Sequence, residues 1–364
     1  MKFKETFSNK KILITGNTGF KGCWLTLWFL SLGGNVVGIS NGLPSKPSLF
    51  KILNIKKKIK YYEFDITNYQ KLSKIVKKEK PDFIFHLAAQ ALVLRSYRDT
   101  LTTLRTNVLG TANILETLKF TKKKCVCLII TSDKCYENLE LKRGYKESDL
   151  LGGKDMYSSS KASAEIITSA YFRTFLKYKR NIKIGIARAG NVIGGGDWAE
   201  NRIIPDWYRC FSRKKILNIR YPNSTRPWQH VLEPLSGYLT LAMNLSKKKN
   251  LNGHAFNFGP KSNQNEKVIS LINKINKSSK LFSKNKIKIT DGKLYESGLL
   301  KLNCSKAKKL LLWEANLNLY ELINFISEWY ICYHKKRKEL LEFSINQIKN
   351  FEKIAKNNKI YWSN

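Results

Sequence analysis

The sequence predicts an α/β protein built on a doubly wound parallel sheet, with a smaller lobe toward its C-terminus. Three observations carry that prediction. Short apolar runs such as KILIT, NVVGIS, PDFIFH, CVCLII and KIGIARA recur between longer segments with helical spacing, and strands covered on both faces read in this way. The first run leads at once into Gly16-x-x-Gly19-x-x-Gly22 and an apolar helix, CWLTLWFLSLG. The fourth run, CVCLII, ends in the polar set Thr131 to Lys134, at the strand end where open α/β sheets bind ligands. A chain of 364 residues can bury a large core and two lobes. A Rossmann-type domain is expected over residues 1–190, with a return segment near 226–260. A ligand lobe is expected from 191–225 and 261–340, and a C-terminal helix over 341–364.

Composition excludes several classes. No apolar run is long enough to span a bilayer and the start, MKFKETFSNKKILITG, lacks the pattern of a signal peptide, so a cytoplasmic protein is expected. Seven cysteines without Cys-x-x-Cys spacing or clustered histidines read as reduced structural thiols, not as disulfides or a metal site. The net charge of +39 invites a nucleic-acid reading. Yet 53 of the 66 basic residues are lysine and only 13 arginine, and the lysines are spread from end to end. Base recognition leans on arginine. A solvated basic surface that attracts anionic small molecules is the better reading, with no nucleic acid and no membrane as partner.

Taken in order, Ile12 to Ile14 form the first strand, and the three glycines allow a tight turn whose amides approach a pyrophosphate at the next helix. The second strand, NVVGIS, runs into Asn41 and Gly42 without the acidic residue that marks NAD, so the residues alone leave NAD against NADP open. Asp65 follows IKKKIKYYEF and reads equally as a cap before Thr67-Asn68. PDFIFHLAAQ ends in small residues that permit close packing against a ligand, and His86 within it reads as a core histidine. RSYRDTLTTLRTNVLGTANILETLKF suggests one long helix with Asn107 in its middle. KIGIARAGNVIGGGDW gives a strand and a glycine-rich loop, NRIIPDWYR a helix, and the terminal LLEFSINQIKNFEKIAKN an amphipathic helix.

Tyr157 and Lys161 stand four apart at the start of a helical segment and so share a face. An adjacent cation stabilises a phenolate and is expected to lower the tyrosine's pKa from about 10 toward neutrality. Such a pair suits removal of a hydroxyl proton while hydride leaves the same carbon.

With these residues in hand the chain resembles the extended short-chain dehydrogenase/reductase superfamily of NAD-dependent epimerases and dehydratases. The wording TSDKCYEN, LGGKDMYSSSK, ARAGNVIGGGDW and RPWQHVLEPLSGYL is similar to its CDP-glucose 4,6-dehydratases. The resemblance runs from about Lys11 to the final helix. It implies NAD held by Gly16, Gly19, Phe20 and Gly22, by Asp65 and Ile66, by Leu87, Ala88, Ala89 and Asn107, and by Tyr157 and Lys161. It implies a nucleotide sugar held by Gln90, Asn191, Arg202, Arg226 and His230, and a homodimer or homotetramer built on the helices bearing Asn107 and Tyr157. Tyr295-Glu296-Ser297 departs from the His-Glu-Ala more often found there.

The implied reaction oxidises C4 of the glucose, eliminates water across C5 and C6, and returns the hydride to C6. Ser132, Tyr157 and Lys161 would serve the oxidation, Asp133 and Lys134 the elimination, which needs an acid and a base of separated pKa. Lys134 acting as base requires desolvation or a nearby cation, for which Lys161 is the candidate. Alternatively Asp133 and Lys134 form an ion pair and another residue is the base. An epimerase or reductase of the same superfamily would keep Ser132, Tyr157 and Lys161 without that pair. A nucleic-acid-binding protein on the same scaffold is the remote alternative, tested by salt-dependent retention on DNA.

Overall fold

The computed structural model describes residues 2–261, 264–283, 285–290 and 300–363. Tyr295-Glu296-Ser297 lies outside the described residues. Six strands come first: β1 (Lys11–Thr15), β2 (Asn35–Ser40), β3 (Lys60–Glu63), β4 (Phe83–His86), β5 (Cys125–Ile130) and β6 (Ile182–Ala189). Short strands follow at β7 (Val192–Ile193), β8 (Leu217–Ile219), β9 (Thr225–Arg226) and β10 (Gln229–His230), and β11 (Ala255–Phe258) returns to the main sheet. The seven-stranded sheet has the order β11-β6-β5-β4-β1-β2-β3, with every neighbouring pair parallel. Two further strands, β12 (Glu266–Lys267) and β13 (Ile287–Ile289), pair with β9 and β8. The apolar runs become strands because both faces of this sheet are covered. One face packs on α2 (Phe20–Ser31) and the C-terminal helices, the other on the helices between β3 and β6.

After α1 (Lys2–Phe7) and α2 the helices are α3 (Leu49–Ile52), α4 (Tyr69–Glu79), α5 (Val93–Arg98), α6 (Thr100–Leu104), α7 (Gly110–Lys119) and α8 (Met156–Thr174). Beyond β7 come α9 (Ile203–Ser212), α10 (Leu232–Lys247), α11 (Val268–Lys277), α12 (Ser305–Leu311), α13 (Leu319–Lys335) and α14 (Leu340–Asn357). Local chemistry sets several starts: the Asp155 carboxylate caps α8 by accepting from Ser158 N, and Asn318 with Glu321 forms a capping box on α13. Among the described residues no helix is long and apolar enough to cross a membrane.

The long helix expected around Asn107 is divided. α5 and α6 meet at Asp99, and residues 105–109 form a wide π-turn before α7. The turn coincides with Asn107, whose amide accepts from Gln90 N at 2.8 Å and donates to Gln90 O at 3.1 Å and Ser160 Oγ at 2.8 Å. A π-turn takes in one extra residue and is frequent where a helix carries a side chain used elsewhere. All seven cysteines are unpaired, and five are buried.

Candidate active site

Strand order reverses between β1 and β4, so a crevice opens beyond their carboxyl ends. Gly16 follows β1 with a left-handed φ of 74°. A Cβ on it would stand 2.7 Å from Ala88 N, so the turn and the end of β4 lie backbone against backbone. A Cβ on Gly22 would overlap the Gly16 carbonyl oxygen and stand 2.7 Å from Asn17 Cα. Gly19 is the N-cap of α2, and no side chain caps that helix. Its first amides are therefore left for an external anion, the arrangement that seats a pyrophosphate. The residues fit a dinucleotide on this ground.

Around that turn Phe20, Leu87, Ala88 and Ala89 are half-buried, while Ile66 lies in the core beside Gly110. At the end of β2, Ser40 turns inward and donates to Asn17 Oδ1 at 2.9 Å. The acid missing from this strand arrives from the loop after β3: Asp65 Oδ2 accepts from Asn41 Nδ2 at 3.2 Å, and Oδ1 from Thr67 N at 2.8 Å. Asp65 does not cap α4, whose N-cap is Asn68. His86 is a core histidine, placed between Thr15 Oγ1 at 2.8 Å and Thr111 Oγ1 at 3.1 Å. Burial takes its pKa down to about 3, with Lys161 adding to the shift.

The second half of the site grows from β5. A single 3-10 turn, Asp133–Cys135, follows the strand, with Ser132 as its N-cap. Ser132 Oγ donates to Asp133 Oδ1 at 2.8 Å and accepts from Lys134 N at 3.3 Å. Gly190, at the end of β6, leaves room for the Asp133 carboxylate, since a Cβ there would stand 3.0 Å from Oδ2. Tyr157 sits in the first turn of α8, with the Ser132 hydroxyl within hydrogen-bond reach of its phenol. Lys161 lies one turn further, buried, its Nζ 3.4 Å from Ile130 O. Ser132, Asp133 and Tyr157 thus lie together, with Lys161 one helical turn behind Tyr157. The hydrogen-bond partner of the Asp133 carboxylate is the Ser132 hydroxyl next to it in the chain.

The expected titration of Tyr157 is corrected. Burial raises its pKa to about 12, and the Asp133 charge adds to that, outweighing the Ser132 hydrogen bond and the Arg202 charge that pull it down. The Lys161 ammonium is turned to the Ile130 carbonyl and is itself brought to about 8 by burial, against the pull of Glu165. Two residues expected at the substrate have partners within the protein. Gln90 spends its side chain internally, donating to Leu92 O at 3.1 Å and Thr103 Oγ1 at 2.9 Å and accepting from Leu92 N at 2.6 Å. His230 is fully enclosed between Trp24 and Phe325; its Nδ1 accepts from Leu232 N at 3.4 Å, and burial lowers its pKa to about 3. Asn107 is likewise saturated by Gln90 and Ser160. Asn191 is half-buried in the loop between β6 and β7, and Arg226 is buried on β9. Arg202, the N-cap of α9, holds Asp197 at 2.9 Å and contributes its charge to the Tyr157 environment.

Sequence reasoning missed two features. Glu165 and Arg188 form a buried bidentate pair behind Lys161, with Arg188 Nε at 2.9 Å from both carboxylate oxygens and Thr131 Oγ1 donating at 2.5 Å. The available signals were an arginine inside an apolar strand and a glutamate one turn beyond Lys161. The second feature is Lys21, the only charged residue of α2. Its Nζ donates to Tyr238 Oη on α10 at 3.4 Å. Burial lowers its pKa to about 7, with Arg202 and Lys161 adding repulsion and Asp133 opposing it. A lone charge on an apolar helix, beside a glycine turn, was the legible sign.

A family model described as GDP-mannose 4,6 dehydratase matches residues 13–326. The chain is 40% identical over 333 residues to a CDP-glucose 4,6-dehydratase of Salmonella typhimurium, covering 90% of this chain and 92% of that one. Among solved structures, the epimerase Mth375 of Methanothermobacter thermautotrophicus superposes with a TM-score of 0.77 at 21% identity, covering 93% of this chain and 96% of that one. A dTDP-glucose 4,6-dehydratase of Bacillus anthracis in complex with NAD gives 0.74 at 20% identity, covering 91% and 99%. At these identities the two structures establish the fold.

Proposed function

This chain belongs to the GDP-mannose 4,6 dehydratase family of extended short-chain dehydrogenases/reductases, and from that premise we propose that it is an NAD-dependent CDP-glucose 4,6-dehydratase. It converts CDP-D-glucose to CDP-4-dehydro-6-deoxy-D-glucose and water. The observation that carries this reading is the 40% identity to a CDP-glucose 4,6-dehydratase along nine-tenths of the chain, in a protein whose fold brings Ser132, Asp133, Tyr157 and Lys161 together.

NAD held along the glycine turn would supply the hydride acceptor and donor that make the reaction redox-neutral overall. Gly16, Gly19 and Gly22 hold the pyrophosphate, and Asp65 brings to the end of β2 a carboxylate that repels the extra phosphate of NADP. Tyr157 takes the proton of the C4 hydroxyl, with Ser132 holding the same oxygen and Arg202 as the cation that pulls the phenol's pKa down. Ser132 also reaches Asp133, so the proton taken at C4 has a path to that carboxylate. Protonated Asp133 then releases the C6 hydroxyl as water, and this returns to solvent the proton taken at the start. Asp133 and Lys134 serve the elimination as a pair, at the far end of the sugar from Tyr157. Arg202 and Arg226 meet the diphosphate, and Asn191 the sugar.

A homodimer completes the reading. Tyr97, Leu101 and Leu109 near α5 and α6, and Ile166 on α8, are exposed apolar side chains on adjoining helices, and a second copy of this chain would cover them. Sedimentation of the purified protein tests this. Incubation with CDP-, dTDP-, GDP- and UDP-glucose tests the main reading: a 4-keto-6-deoxy product is expected from CDP-glucose. Conversion of another nucleotide sugar in preference to it, or epimerisation without loss of water, would refute it.

A further inference from the structure

We propose that Glu165 and Arg188 are positioning residues of the elimination: their buried ion pair mounts the turn that carries Asp133 and Lys134 by holding the side chains on either side of it. The proposal rests on the dehydratase reading and deepens it, since it gives two residues outside the reacting set the task of aiming the acid and the base.

The turn is held from both ends. Ahead of it, Thr131 Oγ1 donates to Glu165 Oε1 at 2.5 Å. Behind it, Arg188 Nη1 donates to Tyr136 Oη at 2.6 Å. Between those two side chains lie only Ser132 and the 3-10 turn Asp133–Cys135. The two partners are the halves of one pair: Arg188 Nε stands 2.9 Å from both Glu165 oxygens and Nη2 2.5 Å from Oε2, and both side chains are buried. A short loop whose two flanks are attached to one bidentate contact of fixed geometry has few ways to shift.

The same pair ties the turn to the rest of the site. Glu165 follows Lys161 by one turn of α8, so the helix that bears Tyr157 meets the end of β5 twice, at Ile130 O through Lys161 and at Thr131 through Glu165. Arg188 belongs to β6, and two residues later Gly190 gives the Asp133 carboxylate its room. Tyr136 passes the link outward by donating to Asn257 Oδ1 on β11 at 2.8 Å, while its ring stacks on Tyr145. A buried ion pair adds little net stability, because desolvation of its charges offsets their attraction. Fixed geometry is what this one supplies, to the segment where the reaction needs an acid and a base placed at C5 and C6. The entry of the turn is also held by the sheet, with Thr131 N bonded to Ala187 O at 2.9 Å. Ser132 and the oxidation at C4 therefore depend on the pair less than Asp133 and Lys134 do.

The test removes one hydroxyl at a time and leaves both charges in place, because loss of either would strand the other in the core. Tyr136→Phe deletes the link to Arg188, Thr131→Val deletes the link to Glu165, and Thr131→Ser keeps a hydroxyl there. Each of the first two carries the test alone where the other unsettles the fold. Single turnovers of CDP-glucose are followed by the absorbance of reduced nicotinamide and by the 6-deoxy product, beside steady-state kinetics and thermal melts. In Tyr136→Phe and Thr131→Val the absorbance should rise within about threefold of the wild-type rate and decay at least about tenfold more slowly, since a displacement of about 1 Å suffices for such a loss. kcat should fall accordingly with KM for CDP-glucose unchanged, and Thr131→Ser should decay at a rate close to wild type. Wild-type decay in either hydroxyl-free variant would overturn the proposal whatever its melting temperature, since the pair would then serve stability alone. So would equal slowing of rise and decay, or a Thr131→Ser protein as slow as Thr131→Val. Failure of the dehydratase reading itself is recognised separately, by wild-type protein giving no 6-deoxy product.

Discussion

Substituting alanine in turn at Gly16, Gly19 and Gly22 tests whether the dinucleotide seat is built by close backbone approach. At Gly22 an added Cβ would overlap the Gly16 carbonyl oxygen and stand 2.7 Å from Asn17 Cα, where ordinary contact needs close to 4 Å. Neither neighbour is a side-chain end that could swing away, so the turn has to move by about 1 Å. At Gly16 the Cβ meets Ala88 N at 2.7 Å and the residue holds φ at 74°, so steric and conformational costs add. At Gly19 the nearest atom is Gly16 O at 3.3 Å, which a few tenths of an ångström relieve. Forced overpacking of this kind costs about 1–3 kcal/mol. With the usual unfolding entropy per residue, ~2 kcal/mol lowers the Tm of a 364-residue chain by about 3 °C. Thermal melts of ligand-free protein should therefore place Gly22→Ala and Gly16→Ala several degrees below wild type, with Gly19→Ala close to it. In calorimetric titration with NAD, Gly22→Ala should bind at least about tenfold more weakly, the loss of one charge-assisted hydrogen bond to a displaced amide. A Gly22→Ala protein that melts and binds like wild type would show that the turn is not held by these contacts.

The remaining predictions address the chemistry and the pH response. Tyr157→Phe should slow hydride transfer to NAD on the order of a hundredfold or more while NAD titration stays within about twofold of wild type; near-normal turnover would remove Tyr157 from its role. Asp133→Asn and Lys134→Met should both build up reduced nicotinamide on mixing with CDP-glucose and release little 6-deoxy product, because oxidation at C4 does not need them; absence of any reduction in both would return them to a binding role. Glu233, buried on α10, has its pKa raised by burial from 4.5 to about 7, against the pull of the Leu317 and Asn316 amides. The folded state then holds a proton that the unfolded chain releases between pH 4.5 and 7, so this group's contribution to stability falls as pH rises through that window. Denaturant melts of Glu233→Gln across the same range should show a flatter dependence than wild type, and an unchanged slope would contradict the assignment.

Much of the fold was legible because a parallel sheet covered on both faces writes itself as short apolar runs, and because glycines at a turn of this kind are demanded by contact distances. Tyr157 and Lys161 were legible for a similar reason: helical spacing fixes that they share a face. What spacing does not fix is burial. The Lys161 ammonium was expected to lower the phenol's pKa, yet desolvation at Tyr157 outweighs every charge near it. Gln90 and His230 were polar residues at promising strand ends, and only packing reveals that one is spent on Leu92 and Thr103 and the other lies under the aromatic core. The acid at the end of β2 was sought in β2 itself, whereas pairing with β3 brings Asp65 there from the loop that follows β3. Lys21 was hidden inside the very motif that identified the turn.

α10 gives the site a mechanical property of its own. Near its start Glu233 accepts from Asn316 N at 3.0 and 2.9 Å and from Leu317 N at 2.6 Å, and one turn later Ser236 takes the indole N–H of Trp313 at 2.8 Å. Two residues further along the same helix, buried Tyr238 accepts from Lys21 Nζ at 3.4 Å. The segment from Trp313 to Leu317 is thus bolted to the helix that also meets Lys21. Any movement of that segment against the sheet has to carry α10 with it or break buried bonds, so the C-terminal part of the chain and the helix after the glycine turn are mechanically joined through α10.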